Sequence, residues 1–129
     1  MSMSNEIIRP STVAKTTGYS PAVRAGNTLY ISGQVSQDLD GNIVGRGDIV
    51  AQAAQVFANL KAVVEAAGAS LQDVVKLTTY TTSLANRQAI AEARAKYWQS
   101  DWPASTFVVI SSLAAPDFLV EVEAIAVLS

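Results

Sequence analysis

Two periodicities divide this chain. From Ile49 onward, Ala53, Val56, Leu60, Val63, Val64 and Ala67 recur at three- and four-residue intervals, the spacing that lines one face of a helix. Asp48 stands where an N-cap belongs and Gly68 where a helix stops. Elsewhere the pattern is that of strands. Asn27–Val35 follows the turn signal Ala25-Gly26-Asn27. Asp38–Asn42 reads as a turn into a short strand at Ile43-Val44, and Asp73–Thr82 is rich in Val, Thr and Tyr. Ser83 is placed to cap a second helix from about Leu84 to Trp98. Pro103 closes that region, Ser105–Ser111 forms a further strand, and Ala114–Asp117 turns into a last strand, Leu119–Val127. This order predicts a single α+β domain over residues 1–129, a mixed β-sheet with two helices on one face.

In the last strand, alternation puts Val120, Val122, Ala124 and Ala126 on one wholly apolar face. The opposite face carries Leu119, Ile125 and Val127, with Glu121 and Glu123 between them. Carboxylates on an otherwise apolar face are costly to bury unless something pairs with them or uses them. Two helices on one sheet face leave the other uncovered. Val75, Leu77, Phe107, Leu119 and Ile125 are expected to make both faces apolar, so self-association through the open face is expected.

Composition narrows the chemistry. Half of the 129 residues are hydrophobic, 16% are charged, and the net charge is −2. The nine Lys and Arg are scattered and form no basic stripe, which argues against nucleic acid as a partner. With no Cys and no His, the chain has no thiolate nucleophile, no Ser-His triad and no ordinary zinc ligand set, so no metal is expected. Any chemistry falls to carboxylates, hydroxyls, Tyr, Lys, Arg or the backbone. Met1–Glu6 lacks a basic stretch leading into an apolar run, and no segment is long and apolar enough to span a bilayer. The expectation is a cytoplasmic protein without a membrane partner.

A colinear set of motifs carries a resemblance. Gly18-Tyr19-Ser20-Pro21-Ala22-Val23, Ala25-Gly26-Asn27, Leu29-Tyr30-Ile31-Ser32-Gly33-Gln34, Asn59–Gly68, Asp73–Thr78, Pro103-Ala104 and Val120–Ala126 together resemble the Rid (YjgF/RidA) family, also called endoribonuclease L-PSP-like. The resemblance implies a chorismate-mutase-like homotrimer with pockets between subunits. It also implies hydrolysis of reactive enamines and imines to 2-oxo acids and ammonia without a cofactor. Carried over residue by residue, it assigns Glu121 to position the attacking water. Ser32, Gly33 and Tyr19 would hold the ligand, Tyr19 from a neighbouring subunit. The segment Ser105, Thr106 and Phe107 would line the same pocket.

The sequence departs from that pattern at one important place. The resemblance implies an Arg directly after Pro103-Ala104, gripping the substrate carboxylate bidentately, and Ser105 stands there instead. Where the family often shows Asn-x-x-Tyr, this chain has Ala91 and Arg94. Arg94 and Arg24 are the candidate substitutes; a helical Arg otherwise belongs to a solvated face. Ser105 and Thr106 could offer hydroxyls to a ligand, or be ordinary strand residues. Ser32-Gly33 could mark a bulge, Tyr19 could simply pack, and Trp98 and Trp102 read as packing residues. Glu123 reads as a structural partner at an interface. Three functions stand open: a cofactor-independent imine deaminase using Glu121, a small-molecule-binding protein without catalysis, and a ribonuclease or translation inhibitor. Missing His and a missing basic patch weigh against the third.

Overall fold

A computed structural model describes residues 5–129; the leader reading of Met1–Glu6 falls largely outside them. Six strands form one mixed sheet: β1 (Glu6–Ile8), β2 (Ala22–Ala25), β3 (Thr28–Gln34), β4 (Val74–Thr81), β5 (Ala104–Val109) and β6 (Val120–Val127). Their spatial order is β1-β2-β3-β6-β4-β5. All neighbours run antiparallel except β4 and β5, whose parallel pairing is the crossover around the second helix. The expected α+β layer is therefore the observed one.

Helix α1 spans Ile49–Ala66. The Asp48 carboxylate accepts from the Ala51 amide at 3.1 Å, satisfying one orphan donor of the first turn. At the other end Gly68, with φ near 81°, donates to the Glu65 carbonyl while Ala69 donates to Val64, closing the helix with a left-handed residue that tolerates no Cβ comfortably. Ala53, Val56, Phe57, Leu60, Val63 and Val64 are buried along one stripe of this helix. They meet Leu29, Ile31, Val74, Leu77, Val120, Val122, Ala124 and Ala126 of the sheet in one continuous core.

Three expectations need correction. Ile43-Val44 is not a strand; Ile43 makes an isolated bridge to Gln37. The second helix is shorter than its apolar pattern suggests: Leu84–Asn86 is a 3-10 turn and α2 proper runs Arg87–Ala95. It stops because Trp98 turns into the core, where its indole donates to the Leu71 carbonyl at 3.1 Å and its edge meets Phe57. Trp98 thus packs as expected, but Trp102 does not, being 68% exposed. Strands β1 and β2 lack a strong alternating signal, since their few residues lie at the sheet margin.

The register sorts the sheet's faces. Val108, Tyr80 and Glu121 lie in line across β5, β4 and β6, as do Thr106, Thr78 and Glu123. This row belongs to the face without helices. Ser105 and Phe107 align instead with Leu77 and Thr79, on the helix side. Of the residues expected to make both faces apolar, Leu77 and Phe107 lie on the helix side, and the centre of the open face carries Thr78, Tyr80, Thr106 and the two glutamates. Its apolar contribution includes Tyr30, Val108, Ile125 and Val127.

Candidate functional site

Glu121 is the best-defined element of the candidate site. Between Ile31 and Gln34 the pairing of β3 with β6 slips, so that Ser32 and Gly33 together face the single residue Glu123. The Glu121 side chain lies against Gly33 so closely that a Cβ there would stand 2.3 Å from Oε2 and 2.4 Å from Cδ. Glycine here permits the close approach of the Glu121 side chain and is not demanded by backbone conformation, since Gly33 lies outside the left-handed region. The bulge and the glutamate thus fit together, and each explains the other.

Electrostatics distinguishes the two glutamates. Partial burial of Glu121 raises its pKa above the usual carboxylate range, and the nearby charge of Glu123 raises it further. Glu123 accepts a hydrogen bond from the Tyr80 hydroxyl. That bond, then burial, then the charges of Glu123 and Glu121 push the Tyr80 phenol up. Glu123 is therefore held by a phenol on the neighbouring strand, and its own charge acts on Glu121. Among the described residues it forms no ion pair; Lys76, on the same face, donates to Thr106 Oγ1 at 2.6 Å instead.

The other expected site residues separate into two groups. Ser32 donates its hydroxyl to the Ser20 carbonyl at 2.7 Å, tying β3 to the loop before β2. In the same loop Tyr19 is 57% exposed, and its carbonyl accepts from Thr16. Tyr19 and Gly33 line one small hollow of about 30 Å³ with Gln34 and Asn59. Glu121, Gly33, Ser32 and Tyr19 thus form one neighbourhood.

Ser105 and Phe107 belong to a second site on the helix side of the sheet. There a groove of about 440 Å³ runs between α2 and β5, lined by Arg87, Arg94, Trp102, Ser105 and Phe107 over a floor that includes Leu77 and Ile90. Arg87 sits over the Phe107 ring, 5.5 Å from its centroid. Thr106 points away from this groove, to the Glu121 face, where it is occupied by Lys76. Arg94 does reach the neighbourhood of Ser105. Arg24 does not: it lies on β2 and donates to the Gly26 carbonyl. Arg87 was not singled out from sequence. Its seven-residue spacing from Arg94, two helical turns, is the signal that could have found it.

One chain therefore presents Glu121 on one face of the sheet and Ser105 on the other. Helix and strand geometry does not bring the two together within a subunit. No group of His, Cys, Asp and Glu among the described residues is arranged to hold a metal. No helix among them is long and apolar enough to cross a membrane.

Residues 10–128 match the family described as Endoribonuclease L-PSP. The chain belongs to this family. A RutC family protein of Pyrococcus horikoshii is 41% identical over 122 residues, covering 94% of this chain and 96% of that protein. A protein of Dermatophagoides farinae named 2-iminobutanoate/2-iminopropanoate deaminase is 39% identical, with 85% of each chain covered. Among solved structures, Escherichia coli TdcF with bound serine superposes with a TM-score of 0.88 at 32% identity, covering 96% of this chain and 99% of that one. The Rid-type fold expected from the motifs is the fold of this chain.

Proposed function

We propose that this protein is a cofactor-independent imine deaminase of the Rid type, working in a homotrimer with its site between subunits. The observation that carries this reading is Glu121, a half-buried carboxylate of raised pKa seated on a glycine bulge. A carboxylate whose pKa is raised holds a proton more readily than an ordinary one, which suits it to take a proton from water and return it. As the water oxygen attacks the imine carbon, Glu121 accepts the water's proton. It then delivers that proton to the nitrogen, giving the carbinolamine; Glu121 next takes the carbinolamine's hydroxyl proton and passes it to the amine nitrogen as the C–N bond breaks, and the carbonyl product and ammonia leave. No electron transfer and no external group is needed, which suits a chain without Cys or His. The deaminase name of the Dermatophagoides relative supports the reaction class.

The separation of the two half-sites supports such an assembly. Glu121, Gly33 and Tyr19 of one subunit and Ser105 and Phe107 of another can share a cleft, whereas the two groups of a single chain cannot. The second reading is a small-molecule-binding protein without catalysis, favoured by Ser105 at the position where the resemblance places a carboxylate-binding Arg.

The test generates 2-iminopropanoate and 2-iminobutanoate enzymatically with semicarbazide present and follows semicarbazone formation. An active protein suppresses the semicarbazone, and Glu121→Gln restores it. Equal activity of wild type and Glu121→Gln would remove Glu121 from the mechanism. Inert wild-type protein would leave the binding reading, and a monomer in sedimentation equilibrium would end the inter-subunit argument.

A further inference from the structure

The groove between α2 and β5 carries an unbalanced charge. Arg87 and Arg94 both line it, and no carboxylate of the same chain does. Among the described residues neither guanidinium has an ion pair or a side-chain hydrogen bond; the ion pairs present are Arg46–Asp117 and Lys61–Glu65. Arg94, in the last turn of α2, also complements the helix dipole, which does not use its forked donors. The Phe107 ring beneath Arg87 leaves that guanidinium aligned over the groove, with Trp102 exposed on the lining.

The geometry points to Arg87 and Arg94 as a paired anion anchor that selects a dicarboxylic ligand, an imino acid with a second carboxylate on its side chain. Two cations with no lining anion from their own chain are complemented by negative charges on a ligand, and two carboxylates supply one for each. Their helical positions stand about 10.5 Å apart along the axis, so the two guanidiniums approach the groove from separate points. That arrangement suits two separated carboxylates better than one compact dianion such as phosphate. Guanidinium forks grip carboxylates bidentately. The volume, about 440 Å³, lies within the range of small-molecule sites. Ser105 then leaves room for the longer ligand between the arginines. The assignment rests on the deaminase reading for the word imino, but not for the two carboxylates.

The experiment titrates the native oligomer with 2-oxoglutarate, 2-oxobutyrate and inorganic phosphate, reading calorimetry and the fluorescence of the tryptophans. 2-Oxoglutarate is expected to bind at least tenfold tighter than either of the others. Arg87→Gln and Arg94→Gln should each weaken 2-oxoglutarate at least tenfold and abolish its preference over 2-oxobutyrate. Arg87→Lys and Arg94→Lys, which keep the charge but not the fork, should fall between. Circular dichroism establishes that each variant is folded; if a Gln variant is not, its Lys counterpart carries the comparison. No measurable binding of 2-oxoglutarate, equal binding of the two oxo acids, equal binding of phosphate, or variants that bind like wild type would each overturn the proposal. Imine turnover is scored separately. Dicarboxylate preference without turnover sinks the deaminase reading alone, and turnover of monocarboxylic imines without that preference sinks the anchor alone.

Discussion

Replacing Gly33 by alanine separates the geometry of Glu121 from the stability of the fold. The backbone at Gly33 lies outside the left-handed region, so alanine brings no conformational strain. Its methyl group, however, would meet Glu121 Oε2 at 2.3 Å and Cδ at 2.4 Å. Ordinary carbon contacts sit near 3.5 Å, so the carboxylate must retreat by about 1 Å. Two stability effects then oppose one another. Alanine restricts the unfolded chain and contributes about 0.4–1 kcal/mol, while pushing the glutamate off its rotamer costs about 0.5–1.5 kcal/mol. The net change should stay within about 1 kcal/mol of zero. A misplacement of about 1 Å at a reacting group costs on the order of 100-fold in rate, about 2.7 kcal/mol of barrier. Gly33→Ala should therefore melt within a few degrees of wild type while kcat/KM in the semicarbazide assay falls about 100-fold. Full activity would show that the seat of Glu121 on the bulge is irrelevant to chemistry. A loss of several kcal/mol in urea unfolding would show that backbone, not the carboxylate, has to move.

Further expectations follow from single residues. Buried Gln52 donates to the Gly45 and Asp117 carbonyls and accepts from the Leu119 amide, pinning the entry to β6 to α1. Gln52→Leu leaves those groups without their partner and should cost about 3 kcal/mol in urea unfolding; a loss under 1 kcal/mol would mean the loop holds itself. The Thr79 hydroxyl is buried without a partner among the described residues, so Thr79→Val should stabilise by about 1 kcal/mol, and a destabilised variant would refute the assignment. Glu121 titrates higher in the folded protein than in the unfolded chain. The folded state thus holds its proton longer, and wild-type stability declines as pH rises from the ordinary carboxylate range through the raised value. Glu121→Gln escapes that decline: its melting temperature relative to wild type should increase between pH 4 and pH 8, and a constant difference would show that Glu121 is not strained by its surroundings.

What could be read from sequence follows the strength of local signals. The stripe from Ile49 to Ala67, the Asp48 cap and the Gly68 stop are local, and the structure places all three as expected. The alternation of β6 is equally clear. The short β1 and β2 are defined by pairing alone, and α2 ends early because a single indole, Trp98, is drawn into the core by Phe57 and Leu71. At the site, the adjacency of Glu121 and Gly33 depends on a register slip that no motif spells out. Arg87 was invisible for a related reason. Its meaning comes from Phe107, twenty residues on, and from a cavity formed only when α2 lies beside β5.

The same groove makes Ser105 a test of how its charges cooperate. Ser105→Arg would introduce a third guanidinium into a cavity that already holds Arg87 and Arg94 without a carboxylate. If Ser105 simply marks a lost anchor, the new Arg should strengthen 2-oxobutyrate binding equally in wild type and in Arg94→Gln. If Arg87 and Arg94 are the anchor, the three like charges repel, and the new Arg should help little in wild type and much more once Arg94 is removed. The two backgrounds thus form a double-mutant cycle whose coupling carries the answer. A coupling near zero, under about 0.5 kcal/mol, would mean that Ser105 and Arg94 do not address the same ligand. A coupling of 1 kcal/mol or more, with the gain confined to Arg94→Gln, would mean that the helix has taken over the cationic role the strand does not fill.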